Sequence, residues 1–129
     1  MGLIMITFFI DMVKLLHAVM LSIKHDIEFR ILLFFLLTLL VGATLFYSSV
    51  EGWSIIDALY FSVMTMSTIG YGDLVPTTTW SKSFTIIFSI LSISFFAAVI
   101  AKIVANVLER KKNKIAKHKE RASDKNNKK

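Results

Sequence analysis

Residues 68–72, Thr68-Ile69-Gly70-Tyr71-Gly72, are the part of this chain whose composition points to chemistry. None of their side chains is charged at neutral pH, so they form neither an acid–base pair nor a carboxylate metal site. What remains is a row of backbone carbonyls and the Thr68 hydroxyl. To turn successive carbonyls toward one axis, the backbone must adopt conformations that most residues resist. Glycine visits the left-handed region at little steric cost, which accounts for Gly70 and Gly72. The side chains of Ile69 and Tyr71 are then expected to point back into supporting protein. One chain offers one carbonyl per level, whereas a dehydrated monovalent cation needs about eight oxygens. Fourfold rotation supplies two rings of four, so these residues predict a homotetramer around a central pore.

Such a strand needs elements that hold it at membrane depth. Ser54 is placed to cap a pore helix over 55–67, with Asp57 at capping-box spacing and near the positive helix end. That helix would be about 20 Å long, half a membrane. A half-length apolar helix must re-enter and return, and non-helical backbone is tolerated there only inside protein or along a water-filled cavity. Two uncharged runs flank it, 31–50 and 83–101. Each is long enough to cross a hydrocarbon core of about 30 Å. The expected pore domain, 28–108, therefore holds an outer helix 29–50, the pore helix 55–67, the filter 68–72 and an inner helix 80–108. Glu28 and Arg30 mark the inner start of the outer helix, and Tyr47, Trp53 and Trp80 are expected in an outer aromatic belt.

Before this domain, Asp11, Lys14, His17 and Lys24, with Thr7, Ser22 and His25, fall on one side of a helical projection. Residues 1–27 thus read as an amphipathic helix lying in the membrane interface. No basic start or small-residue cleavage site marks a signal peptide.

Composition agrees with a membrane protein. The 129 residues are 55% hydrophobic with mean hydropathy +0.66, and they contain no cysteine. Net charge is zero over 1–30, −2 over 31–101 and +8 over 102–129. A basic tail directly after a span places both termini in the cytoplasm, at the cell membrane. Residues 109–129 are charge-rich and poor in large apolar side chains, so a largely disordered or weakly helical segment is expected there. The tail has neither interleaved aromatics nor a nucleic-acid motif, so nucleic acid is not an expected partner, whereas membrane lipid is. His17, His25 and His118 have no ligand spacing.

The segment Thr68 to Asp73, "TIGYGD", resembles the selectivity filter of potassium channels, usually T-V-G-Y-G-D, with Ile69 in place of valine. From about Phe29 to Leu108 the order of elements is similar to that of small bacterial two-transmembrane channels. The sodium/potassium-conducting subfamily is close, including its interfacial N-terminal helix. Those relatives typically carry Asp at the position of Tyr71. The resemblance implies an all-α membrane protein, a homotetramer that passes potassium and is not an enzyme. A non-selective sodium/potassium channel is the alternative reading, and a non-conducting membrane adaptor with a basic tail is a more distant one. By the same resemblance, K+ is the permeant ion, held by the carbonyls of Thr68, Ile69, Gly70 and Tyr71, and no organic cofactor is implied.

Filter support falls to Asp73, Tyr60, Phe61, Met64 and Ser67. Tyr60 and Phe61 occupy positions where relatives often have paired tryptophans, and Asp73 is expected to bond Tyr60 or nearby aromatics. Met64 stands where some relatives have a glutamate, so that coupling to the filter is absent. The inner helix has Ser92 and Ser94 where many relatives have a hinge glycine. Ile93, Ala97 and Ala101 form the expected pore-facing stripe, while Phe95 and Phe96 read as packing residues. Lys102 reads as a residue snorkelling to headgroups, and Glu51 as a solvated turret residue.

Overall fold

The computed structural model describes residues 1–128, which form four helices: α1 (Gly2–His25), α2 (Ile27–Glu51), α3 (Ile55–Met66) and α4 (Thr79–Asn127). Among the described residues there is no β-sheet, and the return strand 68–72 runs between α3 and α4 without a pairing partner. α1, α2 and α4 are each long and apolar enough to cross a membrane, and α3 is a shorter apolar helix. The chain divides into two compact units, residues 28–100 and a second unit of residues 1–27 with the segment from Ala101 onward.

In the first unit, α2 and the start of α4 bury narrow stripes. Leu36, Ala43, Thr44 and Tyr47 are buried on α2, and Ser81, Phe88, Ser92 and Val99 on α4. Recurring seven-residue spacings of this kind give the slim contact seam of closely aligned helices. Small residues at this seam let backbones approach, which favours association where lipid supplies no hydrophobic drive.

Tyr47 is the hub of the packing. Its ring lies 4.8 Å from Phe61, 5.6 Å from Phe84 and 5.7 Å from Trp53, and its hydroxyl is 2.7 Å from the Thr85 hydroxyl. Phe46 stacks on Phe84 at 3.9 Å. Tyr47 is 0% exposed, so it is a core residue and not part of an aromatic belt. The reason is local: α3 carries Phe61 back against α2, and a phenol can be buried once Thr85 satisfies its hydroxyl.

α3 is short because both ends are signalled. At its start the Ser54 hydroxyl accepts from the Asp57 amide at 3.0 Å and donates to the Asp57 carboxylate at 2.8 Å. Ser54→Ala is expected to cost about 1 kcal/mol of α3 stability, seen as faster amide exchange in its first turn.

In the second unit, α1 is apolar on all sides from Leu3 to Ile10 apart from Thr7, whose hydroxyl bonds back to the Leu3 carbonyl at 2.8 Å. One-sided amphipathicity begins only at Asp11, which pairs with Lys14 at 3.6 Å. Lys102 does not stand free toward headgroups, because it forms an ion pair with Asp26 at 3.3 Å.

Of the two states expected for residues 109–129, disorder or weak helix, the described residues are helical: α4 continues unbroken to Asn127. No glycine or proline follows Pro76, and lysine, arginine, alanine and glutamate are good helix formers. Basic residues near the C-terminal end suit the helix dipole, and Asp124 pairs with Lys128 one turn on at 3.7 Å.

Candidate functional site

The site begins where α3 stops. Ser67 is its C-cap, and the Ser67 hydroxyl donates to the Val63 carbonyl at 2.7 Å. A helix end leaves four carbonyls without partners, and here the returning strand satisfies two of them, those of Met64 and Thr65. The Thr68 amide donates to the Thr65 carbonyl at 3.1 Å. The Met64 carbonyl accepts from both Ile69, at 2.9 Å, and Gly70, at 3.2 Å. Met64 thus supports the strand through its backbone.

With its first amides turned toward α3, the strand is free to present its carbonyls elsewhere. Thr68, Gly70 and Gly72 have φ of 62°, 52° and 77°, an alternating left-handed pattern. Among the described residues, no backbone hydrogen bond is accepted by a carbonyl of residues 68–72. A Cβ added at Gly70 or Gly72 would meet nothing within 4 Å, so backbone conformation, not space, demands glycine at both. Thr68 was not foreseen in this conformation. A threonine there is strained by about 1–2 kcal/mol, and the hydrogen bonds on either side of it, from Ser67 and Ile69 back to α3, hold it in place.

The supporting residues divide. The Asp73 carboxylate lies near the Tyr60 hydroxyl, which brings α3 and the outer end of the strand close. Phe61 does not brace the strand. It packs edge-on against Tyr47 and Trp53, at 4.8 and 5.2 Å, and so anchors α3 to α2. Adjacent residues on a helix face about 100° apart, so one of the Tyr60–Phe61 pair had to turn away from the filter. Ile69 and Tyr71 are 52% and 71% exposed, and within one chain nothing covers them as the sequence led us to expect.

Glu51 is a functional residue that sequence reasoning missed. Its carboxylate accepts from the Thr77 amide at 2.8 Å, the Thr77 hydroxyl at 2.6 Å, the Thr78 amide at 3.2 Å and the Ser81 hydroxyl. It is a clamp that ties the end of α2 to the N-terminus of α4, where a negative charge is favoured. The pairing lies 26 to 30 residues away in sequence, beyond any local spacing rule. Glu51→Ala is expected to remove the protein acceptor of the Thr77 and Thr78 amides and to raise amide exchange there several-fold.

On α4, the Ser94 hydroxyl bonds back to the Ile90 carbonyl at 2.8 Å, and that of Ser92, which is buried, to Ser89 at 3.4 Å. Both serines are satisfied within a continuous helix. Ile93, Ala97 and Ala101 are exposed at i, i+4 and i+8. Phe95 stacks on Phe35 at 5.6 Å, the packing role expected of it.

Residues 34–109, from α2 through the strand and into α4, match the family described as Ion channel. The chain belongs to this ion channel family. It is 41% identical over 63 residues, 49% of its length, to two-pore potassium channel 5 of Arabidopsis thaliana. It is also 41% identical over 64 residues, 50% of its length, to the voltage-gated potassium channel Kch of Escherichia coli. It spans 15% of each of those two proteins. Among solved structures it resembles a calcium-activated cation channel from Tsukamurella paurometabola. The TM-score is 0.59 with 32% identity, over 67% of this chain and 84% of that one. This channel is thus an all-α membrane protein with potassium-channel relatives. The family match leaves out α1 and the end of α4.

Proposed function

We propose that four copies of this channel surround a potassium-selective pore in the cell membrane, with both termini cytoplasmic. The observation that carries this is the set of carbonyls on Thr68–Gly72 that accept no backbone bond, alternating with left-handed φ at Thr68, Gly70 and Gly72. Unsatisfied carbonyls at membrane depth are costly unless something replaces water around them, and a dehydrated cation does so. The carbonyls of Thr68, Ile69, Gly70 and Tyr71 and the Thr68 hydroxyl hold K+ in successive rings. The negative end of each α3 dipole stabilises an ion below them. Neighbouring copies cover Ile69 and Tyr71, which one chain leaves exposed. Exposed Ile93, Ala97 and Ala101 line the inner pore, and α1 lies at the membrane interface.

A non-selective cation channel is the second reading, favoured by the likeness to a calcium-activated cation channel. Tyr71 argues for the selective one.

Purified full-length protein in liposomes with an outward potassium gradient tests conduction. Rubidium uptake that barium blocks is expected. No uptake above empty vesicles contradicts the pore reading and favours a membrane adaptor.

A further inference from the structure

The face of α4 read as pore-lining does not stop at the membrane. Beyond Ala101, steps of three and four residues lead to Val104 and Leu108, and Ile115 and Ala122 then recur at seven-residue spacing. All four are exposed and lie on one unbroken helix. Alternating steps of this kind form the heptad seam along which parallel helices pack. The alternate positions of the same seam are not apolar. They hold Lys111, His118 and Lys125.

A single helix of the length of residues 109–127 is marginal in water, and an exposed pair such as Asp124–Lys128 adds little to it. Leu108 and Ile115 are 60% and 58% exposed, so the seam lacks a cover within the chain. Four copies around one pore would supply three identical seams at high effective concentration. Charge opposes their closure. Each copy carries +8 over residues 102–129, and Lys112, Lys114, Lys119 and Arg121 flank the seam. Like charges across such a ring repel, so the seam closes only with a counter-charge between the helices.

We propose that the four α4 ends close around a soluble oligophosphate, held on the fourfold axis by rings of Lys111 and Lys125 with His118 between them. The inference rests on the fourfold pore reading and goes beyond it. A lysine ammonium is a compact donor suited to phosphate, and a ring of four reaches one anion from all sides. Phosphate offers oxygens in every direction and several charges on one molecule, whereas chloride neutralises one ammonium at a time. Apolar layers at Leu108, Ile115 and Ala122 then alternate with anion-filled layers. Along the helix axis, Lys111 and Lys125 lie about 14 and about 35 Å beyond Lys102, where the uncharged run has ended. A straight α4 carries the outer ring beyond lipid headgroups, which favours a soluble phosphate over a lipid one.

The test uses the full-length protein in detergent, with oligomer size from light scattering and amide exchange over residues 108–122 as readouts. Tripolyphosphate is compared with sodium chloride at equal ionic strength. Exchange is expected to be about tenfold slower in tripolyphosphate. Lys111→Leu combined with Lys125→Leu is expected to be protected in both salts, because apolar layers replace the cationic rings. If that variant aggregates, Lys111→Gln with Lys125→Gln takes its place and is expected to lose the difference between the salts. Ile115→Asp is expected to be protected in neither. Equal exchange in the two salts for a tetrameric wild type overturns the inference, as does a double variant that answers to tripolyphosphate as the wild type does. Protection that requires phosphatidic acid in nanodiscs and ignores tripolyphosphate also overturns it, since the partner is then a lipid surface. A wild-type protein that is not a tetramer is a different failure, that of the pore reading itself.

Discussion

Gly72→Ala is expected to abolish potassium current while leaving the helices intact. At φ 77° an alanine pays about 1–2 kcal/mol to keep the backbone where it is, and a tetramer pays that in every copy. Amides as far as Gly70 bond back to α3, but no backbone hydrogen bond holds residues 71 and 72 in place. The cheaper outcome is a flipped peptide, and one flipped carbonyl per subunit removes a ring. Nothing of the same chain lies within 4 Å of the added methyl, so within one subunit the loss comes from backbone conformation. Gly42→Ala is the matched control. It also has open space, but it lies inside α2, where alanine is the better residue, and full current is expected. Bilayer recordings of both variants, with oligomer size checked in detergent, separate the two cases.

Tyr47→Ala is expected to be the most destabilising single change in the 28–100 unit, by about 3–5 kcal/mol. It removes the ring that Trp53, Phe61, Phe84 and Phe88 share, and it opens a cavity where α2, α3 and α4 meet. Lipid cannot refill a space enclosed by protein, so the dispersion contacts are lost outright. Tyr47→Phe keeps the rings and loses only the 2.7 Å contact with Thr85, at about 1 kcal/mol. Thermal denaturation in detergent, followed by circular dichroism, should rank wild type above Tyr47→Phe and both well above Tyr47→Ala. Because Phe61 hangs from this hub, the alanine variant should also lose current.

What could be read from the residues was local. Ser54 and Asp57 announce the start of α3, and its length forces a return strand. Gly70 and Gly72 announce left-handed backbone there. The reading failed where a side chain had two physically reasonable partners. Tyr47 suited a lipid interface as well as a core, and only the fold brings Thr85 and Phe61 to it. Phe61 suited the filter, yet helix geometry turns it to α2. Glu51 and Lys102 find their partners 26 and 76 residues away, beyond the reach of helical spacing. The tail was left between disorder and weak helix because its charge favours the first, whereas an unbroken run of helix-forming residues without glycine or proline supports α4 to Asn127.

Selectivity is the central claim, and it turns on Tyr71 and the backbone around it. The most direct measurement is the reversal potential of the full-length channel under bi-ionic conditions, potassium on one side of a bilayer and sodium on the other. The account predicts a reversal potential far toward the potassium equilibrium value, with sodium permeability a small fraction of that for potassium. A sodium-to-potassium permeability ratio near unity would contradict it.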